Sequence, residues 1–505
     1  MNKSLPKETK PYWLDSVELP TFPSLNDDLT CDVAIIGGGI SGIMTAYLLM
    51  ESGIKVALLE ADTLLSGTTG HTTAKLTAQH GLFYDELIQH FGIEKAKQYY
   101  DSNQQAIEFV KTIVKKYQIK CDLTEEAATI YTQDTQNVTK LEKEMEAYTK
   151  LQIPGRLTET TPLPFHIKQA IIMDKQYQFH PLKFLKVIVE KLKESNCLIY
   201  EKTVASKVEM GNQPKVLLKN GKAVVCDYVV SCSHFPFHDE GFYFARMYPE
   251  RSYVVAALTN TDFPGGMYIN AEQPTRSIRY TPYKEGKLVL FSGEHHKTGQ
   301  GVDTYKHYEN LQQFAENTFG VQSIIYRWSA QDYSTLDKVP YVGYVTNSNR
   351  NILVATGFRK WGMTNSISAA HLLADLIMNR DNLYVDLYTP SRFQTDPSVK
   401  RFLQTNIDVA KQLIGGKLEK LSKTVEDLNN NEGAVIDWNG QRAGGYKDGK
   451  GKLFVVDSTC THMGCELEWN SGERTWDCPC HGSRFSIKGE VVEGPAETPL
   501  KLLNQ

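Results

Sequence analysis

The sequence has few features of a secreted, membrane-bound or nucleic-acid-binding protein. Its first thirty residues contain no apolar core of the length that a secretory signal needs, so we expect a cytoplasmic protein without a transmembrane segment. Basic and acidic residues nearly balance, 55 against 59, and no long run of one sign occurs. Nucleic acid is therefore not expected as a partner. A length of 505 residues with 41% hydrophobic residues predicts about two to four packed domains.

Cysteine is unevenly distributed. Five of the nine cysteines are scattered through the first 450 residues, where a free cysteine is usually a small buried hydrophobe. The other four are Cys460, Cys465, Cys478 and Cys480, and they lie within 21 residues. That density indicates a bound metal or a disulfide.

A glycine turn lies near the start of the chain. Residues 31–62, CDVAIIGGGISGIMTAYLLMESGIKVALLEAD, have the pattern of strand, glycine turn, helix and strand that is typical of one βαβ unit. Gly37, Gly39 and Gly42 form G-x-G-x-x-G, and Glu60 follows 18 residues after Gly42. Such glycines allow a close approach to a pyrophosphate, and the acid accepts from ribose hydroxyls. The unit therefore predicts a dinucleotide site, and no second fingerprint occurs between Glu60 and Gly357.

The remaining pattern divides the chain. Short β-rich runs between Arg251 and Glu294 predict an antiparallel sheet inserted into the first domain. Residues 351–378 return to strand, glycine-rich loop and helix, so we expect the nucleotide domain to close there. An apolar stripe with helical spacing over residues 398–414 predicts a helical linker packed on the first domain. From about Thr424 onward, short strands around an Asn-Gly turn predict a small all-β domain.

Residues 30–390 resemble the D-amino-acid-oxidase-like (DAO) family of FAD-dependent oxidoreductases, the glycine oxidase and sarcosine oxidase group. The matching segments are VAIIGGGISGIMTAYLL, TVASKV with Val204, YSTLDKVPYVGYV around Asp337, Pro340 and Gly343, and ATGFRKWGMTNSISAAHLLADLI. The resemblance implies an α/β FAD-binding domain, Rossmann-like and of the glutathione-reductase type. An antiparallel β-rich substrate domain would be inserted into it.

The resemblance also implies how FAD is bound. The adenine end would lie on the first βαβ unit and near the Val204 backbone, and the flavin ring against the loop from Gly357 to Thr364, close to residues 66–77. The implied binding residues are Gly37, Gly39, Ile40, Ser41, Gly42, Glu60, Thr68, Thr69, Val204, Gly357, Gly362, Met363 and Thr364. Sarcosine-oxidase-like members attach flavin through a cysteine, but none occurs here between Cys232 and Cys460. Non-covalent FAD is therefore expected.

The glycine loop departs from that family in one respect. Amino-acid-oxidising relatives place a cation near the end of this loop to bind the substrate carboxylate, whereas this loop ends in Met363 and Thr364. Lys75 and Arg359 are candidates for that role. Each could equally be a surface or phosphate-facing charge, so the catalytic residues stay unassigned.

Two short boxes, Cys460-Thr-His462-Met-Gly-Cys465 and Cys478-Pro-Cys480-His481, carry the ligand chemistry of the last domain. Thiolates and imidazoles at this spacing could bind zinc in a tetrahedron. They could also bind a [2Fe-2S] centre with two thiolates on one iron and two imidazoles on the other. Ligand chemistry alone leaves both alternatives open.

Residues 424–505 resemble Rieske [2Fe-2S] domains in CTHMGC, CPCHGSRFS and GPAETPL. The resemblance implies Cys460, His462, Cys478 and His481 as iron ligands. It also implies a disulfide between Cys465 and Cys480. Ser483 keeps a hydroxyl that donates to a bridging sulfide in high-potential members, but their tyrosine is Phe485 here. Because hydrogen bonds to the sulfurs raise the reduction potential, we expect a potential below that of the cytochrome bc type.

Together these patterns predict three parts: a DAO-like oxidoreductase over 1–390 with an inserted substrate domain at about 240–330, a helical linker over 391–423, and a Rieske domain over 424–505. The expected function is oxidation of a small amine or amino-acid-like substrate by hydride transfer to FAD. Electrons would then pass singly through the cluster to a protein or quinone acceptor. The alternative is a substrate-free electron carrier or redox sensor. A Rieske oxygenase is disfavoured because no motif of two histidines and a carboxylate for mononuclear iron was found.

Overall fold

The structure is a computed structural model that describes residues 4–301, 303–346, 348–392 and 423–504. The α-helices of these residues are α1 (Tyr12–Ser16), α2 (Ile40–Glu51), α3 (Tyr84–Tyr117), α4 (Val138–Lys150), α5 (Pro181–Glu194), α6 (Tyr243–Arg246), α7 (Tyr305–Phe319), α8 (Gly362–Ile377) and α9 (Val385–Tyr388). Short 3₁₀ helices span Thr68–His71, Thr135–Asn137 and Val425–Asp427.

The strands before residue 392 belong to three sheets. They are β1 (Leu29–Thr30), β2 (Val33–Ile36), β3 (Val56–Leu59), β4 (Lys75–Leu76), β5 (Thr124–Thr132), β6 (Arg156–Thr158), β7 (Gln169–Gln178), β8 (Leu198–Tyr200), β9 (Ala205–Glu209), β10 (Lys215–Leu218), β11 (Ala223–Val225), β12 (Tyr228–Ser231), β13 (Met247–Thr259), β14 (Met267–Asn270), β15 (Arg276–Tyr283), β16 (Gly286–Lys297), β17 (Val321–Thr335), β18 (Tyr341–Thr346) and β19 (Asn349–Thr356). A four-stranded sheet, β1-β11-β10-β9, is the smallest of the three.

A six-stranded sheet in the order β18-β19-β12-β2-β3-β8 positions the glycine turn. All its neighbouring strands run parallel except the edge strand β18. The short strands β2 and β3 are buried along their whole length, as expected for a parallel sheet with both faces covered. Helix α2 leaves β2 at the glycine turn and packs against α5 and α8. The predicted βαβ unit is confirmed.

The largest sheet has the order β17-β13-β16-β15-β14-β5-β7-β4, with β6 paired to β7. Its β13, β15, β16 and β17 run antiparallel, as the pattern between Arg251 and Glu294 predicts. The sheet also takes β4, β5 and β7 from residues 75–178, so the region 240–330 supplies only part of it. The residue boundaries of the predicted domains stay a prediction.

The last described segment, residues 423–504, is all-β. Its strands are β20 (Glu432–Trp438), β21 (Gln441–Lys447), β22 (Leu453–Asp457), β23 (Glu468–Asn470), β24 (Thr475–Asp477), β25 (Arg484–Phe485) and β26 (Val491–Glu493). They form one sheet of three strands and one of four. Asn439 and Gly440 both have positive φ, 54° and 81°, which is the backbone of a tight hairpin turn. The predicted hairpin is confirmed.

This all-β domain is docked on the large sheet. Buried side chains of β13 and β17, and residues that follow β16, bond to it directly. The contacts are Thr304 with Asn470, Tyr308 with Glu473, Arg327 with Gly472, Arg251 with Glu493, Gln331 with Gly482 and Tyr333 with His481. Backbone as well as side-chain atoms are used, so the contact fixes an orientation.

The predicted helical linker lies outside the described residues, since its apolar stripe falls between 393 and 422. Its packing on the first domain stays a prediction. Within the described ranges, none of the helices has the length and apolar character needed to cross a membrane.

Candidate functional site

The glycine turn is held by close backbone contacts. A Cβ on Gly42 would lie 2.0 Å from the Gly37 carbonyl oxygen, and one on Gly37 would lie 2.4 Å from the Cys232 carbonyl oxygen. Gly37 also has φ +113°, which favours glycine. The Glu60 carboxylate at the end of β3 accepts the Gly38 N–H at 2.7 Å. The turn and the acid of the fingerprint therefore meet at the first turn of α2, where a pyrophosphate and a ribose would bind.

The other predicted FAD-binding segments converge on this turn. Thr69 Oγ1 accepts the Ile40 N–H at 3.1 Å, so residues 66–77 contact the start of α2. Ser41 Oγ donates to Ser366 Oγ at 2.8 Å, which joins α2 to α8. Val204 follows Thr203, whose N–H donates to the Glu60 carbonyl at 2.9 Å.

The predicted ring-binding loop lies at the amino end of α8. Thr364 Oγ1 donates to the Thr77 carbonyl at 3.1 Å, and Gly357 has φ +74° with a Thr335 methyl 2.4 Å from where its Cβ would lie. Gly362 begins α8, and Met363 is buried. The assignment of these residues to FAD stays a proposal, and Gly357 fits it because its position leaves no room for a side chain.

Among the residues that the structure describes, neither candidate cation forms an ion pair with a carboxylate. Lys75 Nζ donates to Ser277 Oγ at 2.8 Å, and burial, with Arg279 nearby, lowers its pKa to about 7. Arg359 donates to the His80 carbonyl at 3.0 Å and covers the Phe83 ring at 4.5 Å. Both side chains contact other groups of the protein. These contacts do not favour either residue as the one that binds a substrate carboxylate.

A charged group that the sequence reasoning missed lies beside the same loop. Glu250 and Asp332 are direct partners on β13 and β17, and Ser334 Oγ donates to Glu250 at 3.1 Å. Burial raises the pKa of Asp332 to about 7, while Lys360 opposes the rise and Glu250 adds to it. Burial alone would raise the pKa of Glu250 as well, but Lys360, His295, the Ser334 hydrogen bond and Arg359 together outweigh it and the pKa falls. No motif marks these residues, because only the strand register brings them together.

The four predicted iron ligands meet at one end of the all-β domain. The His462 and His481 rings lie 5.1 Å apart at 88°. Their Nδ1 atoms are buried and have no hydrogen-bond partner among the described residues. Contact with the Cys478 thiol lowers the pKa of Cys460 to about 7, and burial lowers the pKa of His481 to about 4. Two adjacent thiols and two unpartnered neutral imidazole nitrogens fit a [2Fe-2S] cluster.

The remaining two cysteines form the predicted disulfide, Cys465–Cys480. The sulfur atoms of Cys465, Cys478 and Cys480 lie within 4.8 Å of one another, but the disulfide takes two of them. They therefore do not form a separate three-thiolate metal site.

Aromatic side chains of the flavin domain face the two histidines. Phe235 lies 6.1 Å from the His462 ring, and Phe244 lies 6.0 Å from the His481 ring. The Tyr333 hydroxyl donates to the His481 carbonyl at 2.8 Å. The end of the domain that carries the ligands is thus turned toward the large sheet.

Known proteins share this architecture. The family model "FAD dependent oxidoreductase" (DAO) matches residues 32–376, and the model "Rieske [2Fe-2S] domain" matches residues 420–504. The chain is similar to the Rieske 2Fe-2S iron-sulfur protein YhfW of Bacillus subtilis (strain 168), at 50% identity over 505 residues, 100% of this chain and 99% of the relative. It is also similar to gamma-glutamylputrescine oxidoreductase of Escherichia coli (strain K12), at 22% identity over 389 residues, 74% of this chain and 89% of the relative.

A solved structure gives the same fold. Glycine oxidase from Geobacillus kaustophilus superposes with a TM-score of 0.62 at 17% identity, covering 72% of this chain and 99% of that protein. The cofactors of the two matched families are FAD and a [2Fe-2S] cluster, and the glycine turn and the orphaned Nδ1 atoms fit them. The chain is a member of the FAD-dependent oxidoreductase (DAO) family that carries a Rieske [2Fe-2S] domain over residues 420–504.

Proposed function

We propose that this oxidoreductase oxidises a small amine and that the electrons leave singly through its Rieske centre to a protein or quinone acceptor. The observation that carries the proposal is the docking of the ligand-bearing end of the Rieske domain on the flavin domain, with Tyr333 bonded to His481. FAD supplies hydride acceptance when bound, and the cluster supplies one-electron chemistry. An inserted sheet of this size would have no evident purpose in a substrate-free carrier.

Contacts between side chains and backbone hold the flavin domain and the Rieske domain together. Arg251, 1% exposed, donates to Glu493 at 3.2 Å, and Arg327 donates to the Gly472 carbonyl at 2.9 Å. Buried charges of this kind are costly unless they are paired. Because their partners belong to the Rieske domain, separating the two domains would leave these arginines without those bonds. This favours a docked state over a loosely tethered one.

The charges beside the flavin loop support an amine rather than an amino acid. Lys360 lies near both carboxylates, Arg359 and His295 also act on Glu250, and Glu493 and Arg251 also act on Asp332. The Asp332 carboxylate makes no hydrogen bond or ion pair within the described residues. A cationic amine would be attracted to this group, and a substrate carboxylate would be repelled. The name of one relative, gamma-glutamylputrescine oxidoreductase, agrees with an amine substrate.

Anaerobic titration of the holoenzyme with two sets of compounds tests this function. One set contains amines without a carboxylate, and the other contains α-amino acids; flavin absorbance and cluster EPR are followed together. We expect amines to bleach the flavin and to produce the signal of the reduced cluster. Asp332→Asn should weaken amine oxidation, mainly through a higher KM.

His462→Ala serves as the matched control for the titration, because it should still bleach with amines but give no Rieske signal. Bleaching by amino acids alone would contradict the amine assignment. If no compound in either set bleaches the flavin, the substrate-free carrier becomes the better account.

A further inference from the structure

The end of β17 bonds to the Rieske ligand loop through its side chains. Tyr333 and Gln331 are each 1% exposed. Tyr333 Oη donates to the His481 carbonyl at 2.8 Å, and Gln331 Nε2 donates to the Gly482 carbonyl at 2.8 Å. These two carbonyls belong to the loop that supplies Cys478 and His481. Two adjacent side chains on one face of a strand thus hold consecutive residues of the ligand loop.

The main chain of the same two residues bonds to the flavin site. The Tyr333 carbonyl accepts the Arg359 N–H at 2.9 Å, within the loop predicted to bind the flavin ring. The Gln331 carbonyl accepts the Thr68 hydroxyl at 3.1 Å, within the other predicted segment. His234 Nε2 also lies 2.9 Å from that carbonyl. Each residue therefore contacts both cofactor sites with different atoms.

Two glycines show that this interface leaves no room for side chains. A Cβ on Gly482 would lie 2.7 Å from the Pro249 Cβ and 2.8 Å from the Gln331 amide. Across the interface, a Cβ on Gly299 would lie 2.6 Å from the Pro479 nitrogen. Both glycines have positive φ, +77° and +67°. One glycine belongs to each domain, so each partner's backbone approaches the other as closely as a folded core allows.

We infer that Tyr333 and Gln331 are positioning residues that fix the Rieske ligand loop at one separation and orientation from the flavin site. The inference rests on the proposed function. It assigns to β17 the role of holding the Rieske domain where the cluster can accept electrons from the flavin. Tyr333 acts through the His481 carbonyl and takes no part in the redox chemistry itself. Because the loop carries two of the four predicted ligands, loosening it changes both the distance that an electron must cross and the surroundings of the cluster.

The test compares Tyr333→Phe and Gln331→Leu with Tyr326→Phe in the holoenzyme. Tyr326 lies on the same strand, and its hydroxyl donates to Asp15 at 2.8 Å, so it loses a hydrogen bond that does not reach the Rieske domain. FAD is reduced by light with EDTA as the electron donor rather than by a substrate, so the result does not depend on which substrate is natural. The readouts are the rate of cluster reduction, the cluster EPR and reduction potential, and hydrogen exchange of residues 478–483.

We expect Tyr333→Phe to slow cluster reduction about tenfold, as loss of one buried hydrogen bond that holds the docked state would do. Exchange at 478–483 should quicken and the potential should shift, while FAD and iron contents stay at the wild-type level. Gln331→Leu should act in the same direction, and Tyr326→Phe should match the wild type.

Wild-type rates, exchange and potentials in both Tyr333→Phe and Gln331→Leu would overturn the inference. Equal slowing in Tyr326→Phe would overturn it too, because the effect would then be a general loss of stability. The proposed function fails separately, if light-reduced FAD does not reduce the wild-type cluster at all.

Discussion

The predicted ligands Cys460 and Cys478 lie in a small core of the Rieske domain that contains no residue of the glycine turn. His462→Ala or Cys478→Ala should therefore abolish the Rieske EPR signal while FAD stays bound, since each removes a predicted iron ligand and leaves the glycine turn unchanged. EPR and flavin absorbance of the purified variants measure both effects.

Cys465→Ser provides the control, because a disulfide cysteine is not a ligand. It should lose roughly 2–4 kcal/mol of stability but keep part of its cluster. If all three variants lose the cluster equally, the division into ligands and disulfide is wrong.

The potential of the cluster depends on hydrogen bonds to its sulfurs. Ser483 Oγ contacts the Cys460 thiol and accepts the Ala496 N–H at 2.9 Å, while Phe485 is fully buried and has no hydroxyl. Ser483→Ala should lower the reduction potential and Phe485→Tyr should raise it. An EPR-monitored redox titration decides the signs, and a higher potential in Ser483→Ala would count against Ser483 as a donor.

Residues were predictable from the sequence where chemistry is concentrated in a motif. The resemblance of the cysteine and histidine boxes to Rieske domains implied the disulfide and a set of four side chains that the structure brings together. Glu250, Asp332 and Lys360 were not predictable, because each stands alone in the sequence and only strand register and the loop position join them. Tyr333 and Gln331 were missed for the same reason, since their partners lie about 150 residues later in the chain.

At the level of elements, the turn between β2 and α2 depends on the absence of a side chain. Gly42→Ala would place a Cβ 2.0 Å from the Gly37 carbonyl oxygen, and relieving the clash should cost about 1–3 kcal/mol. We expect a lower Tm and loss of most of the bound FAD, measured by thermal unfolding and by flavin content. Gly286→Ala is the matched control, because nothing lies within 4 Å of its Cβ position and its φ is not positive. Normal FAD content in Gly42→Ala would contradict the proposed turn.

A second element, the segment after β17, is held by a buried ion pair. Asp337 accepts two bonds of 2.8 Å from Arg392, and the two side chains are 3% and 4% exposed. Burial alone would raise the pKa of Asp337, but Arg392 outweighs it and the pKa lies below its ordinary value. The pair therefore contributes stability above the ordinary aspartate pKa, and that stability is lost as the pH falls through the lowered one.

Asp337→Asn tests that ion pair. It should cost about 3–5 kcal/mol at neutral pH, because it leaves Arg392 buried and unpaired. The difference from the wild type should shrink below about pH 4, the ordinary range of an aspartate pKa. Unfolding in urea at several pH values measures both effects. A difference that does not vary with pH would show that the charge of Asp337 is not what stabilises the segment.

Local elements could be predicted from periodicity, but their assembly could not. The strand, turn and helix at 31–62 and the hairpin at Asn439-Gly440 follow from patterns within a few residues. The large sheet instead joins β5 to β14, whose paired residues Thr129 and Tyr268 are distant in sequence. Such pairings depend on tertiary packing, which local patterns do not specify.

The whole molecule is organised around one contact between two cofactor domains. The buried arginines, the paired glycines and the Tyr333–His481 bond all join the Rieske domain to the flavin domain of the same chain. A domain held in this way keeps its cluster at a constant distance from the flavin, whatever the protein concentration. Domains joined only by a flexible tether would instead move through a range of distances within the same chain.

A stopped-flow series over a wide range of protein concentrations tests this claim most directly. FAD in the holoenzyme is reduced, and the reduction of the cluster is followed at each concentration. Transfer within one docked chain predicts a first-order rate constant that does not change with concentration. A rate constant that rises in proportion to protein concentration would mean that electrons pass between molecules, and the docked arrangement would then not be the one that carries them.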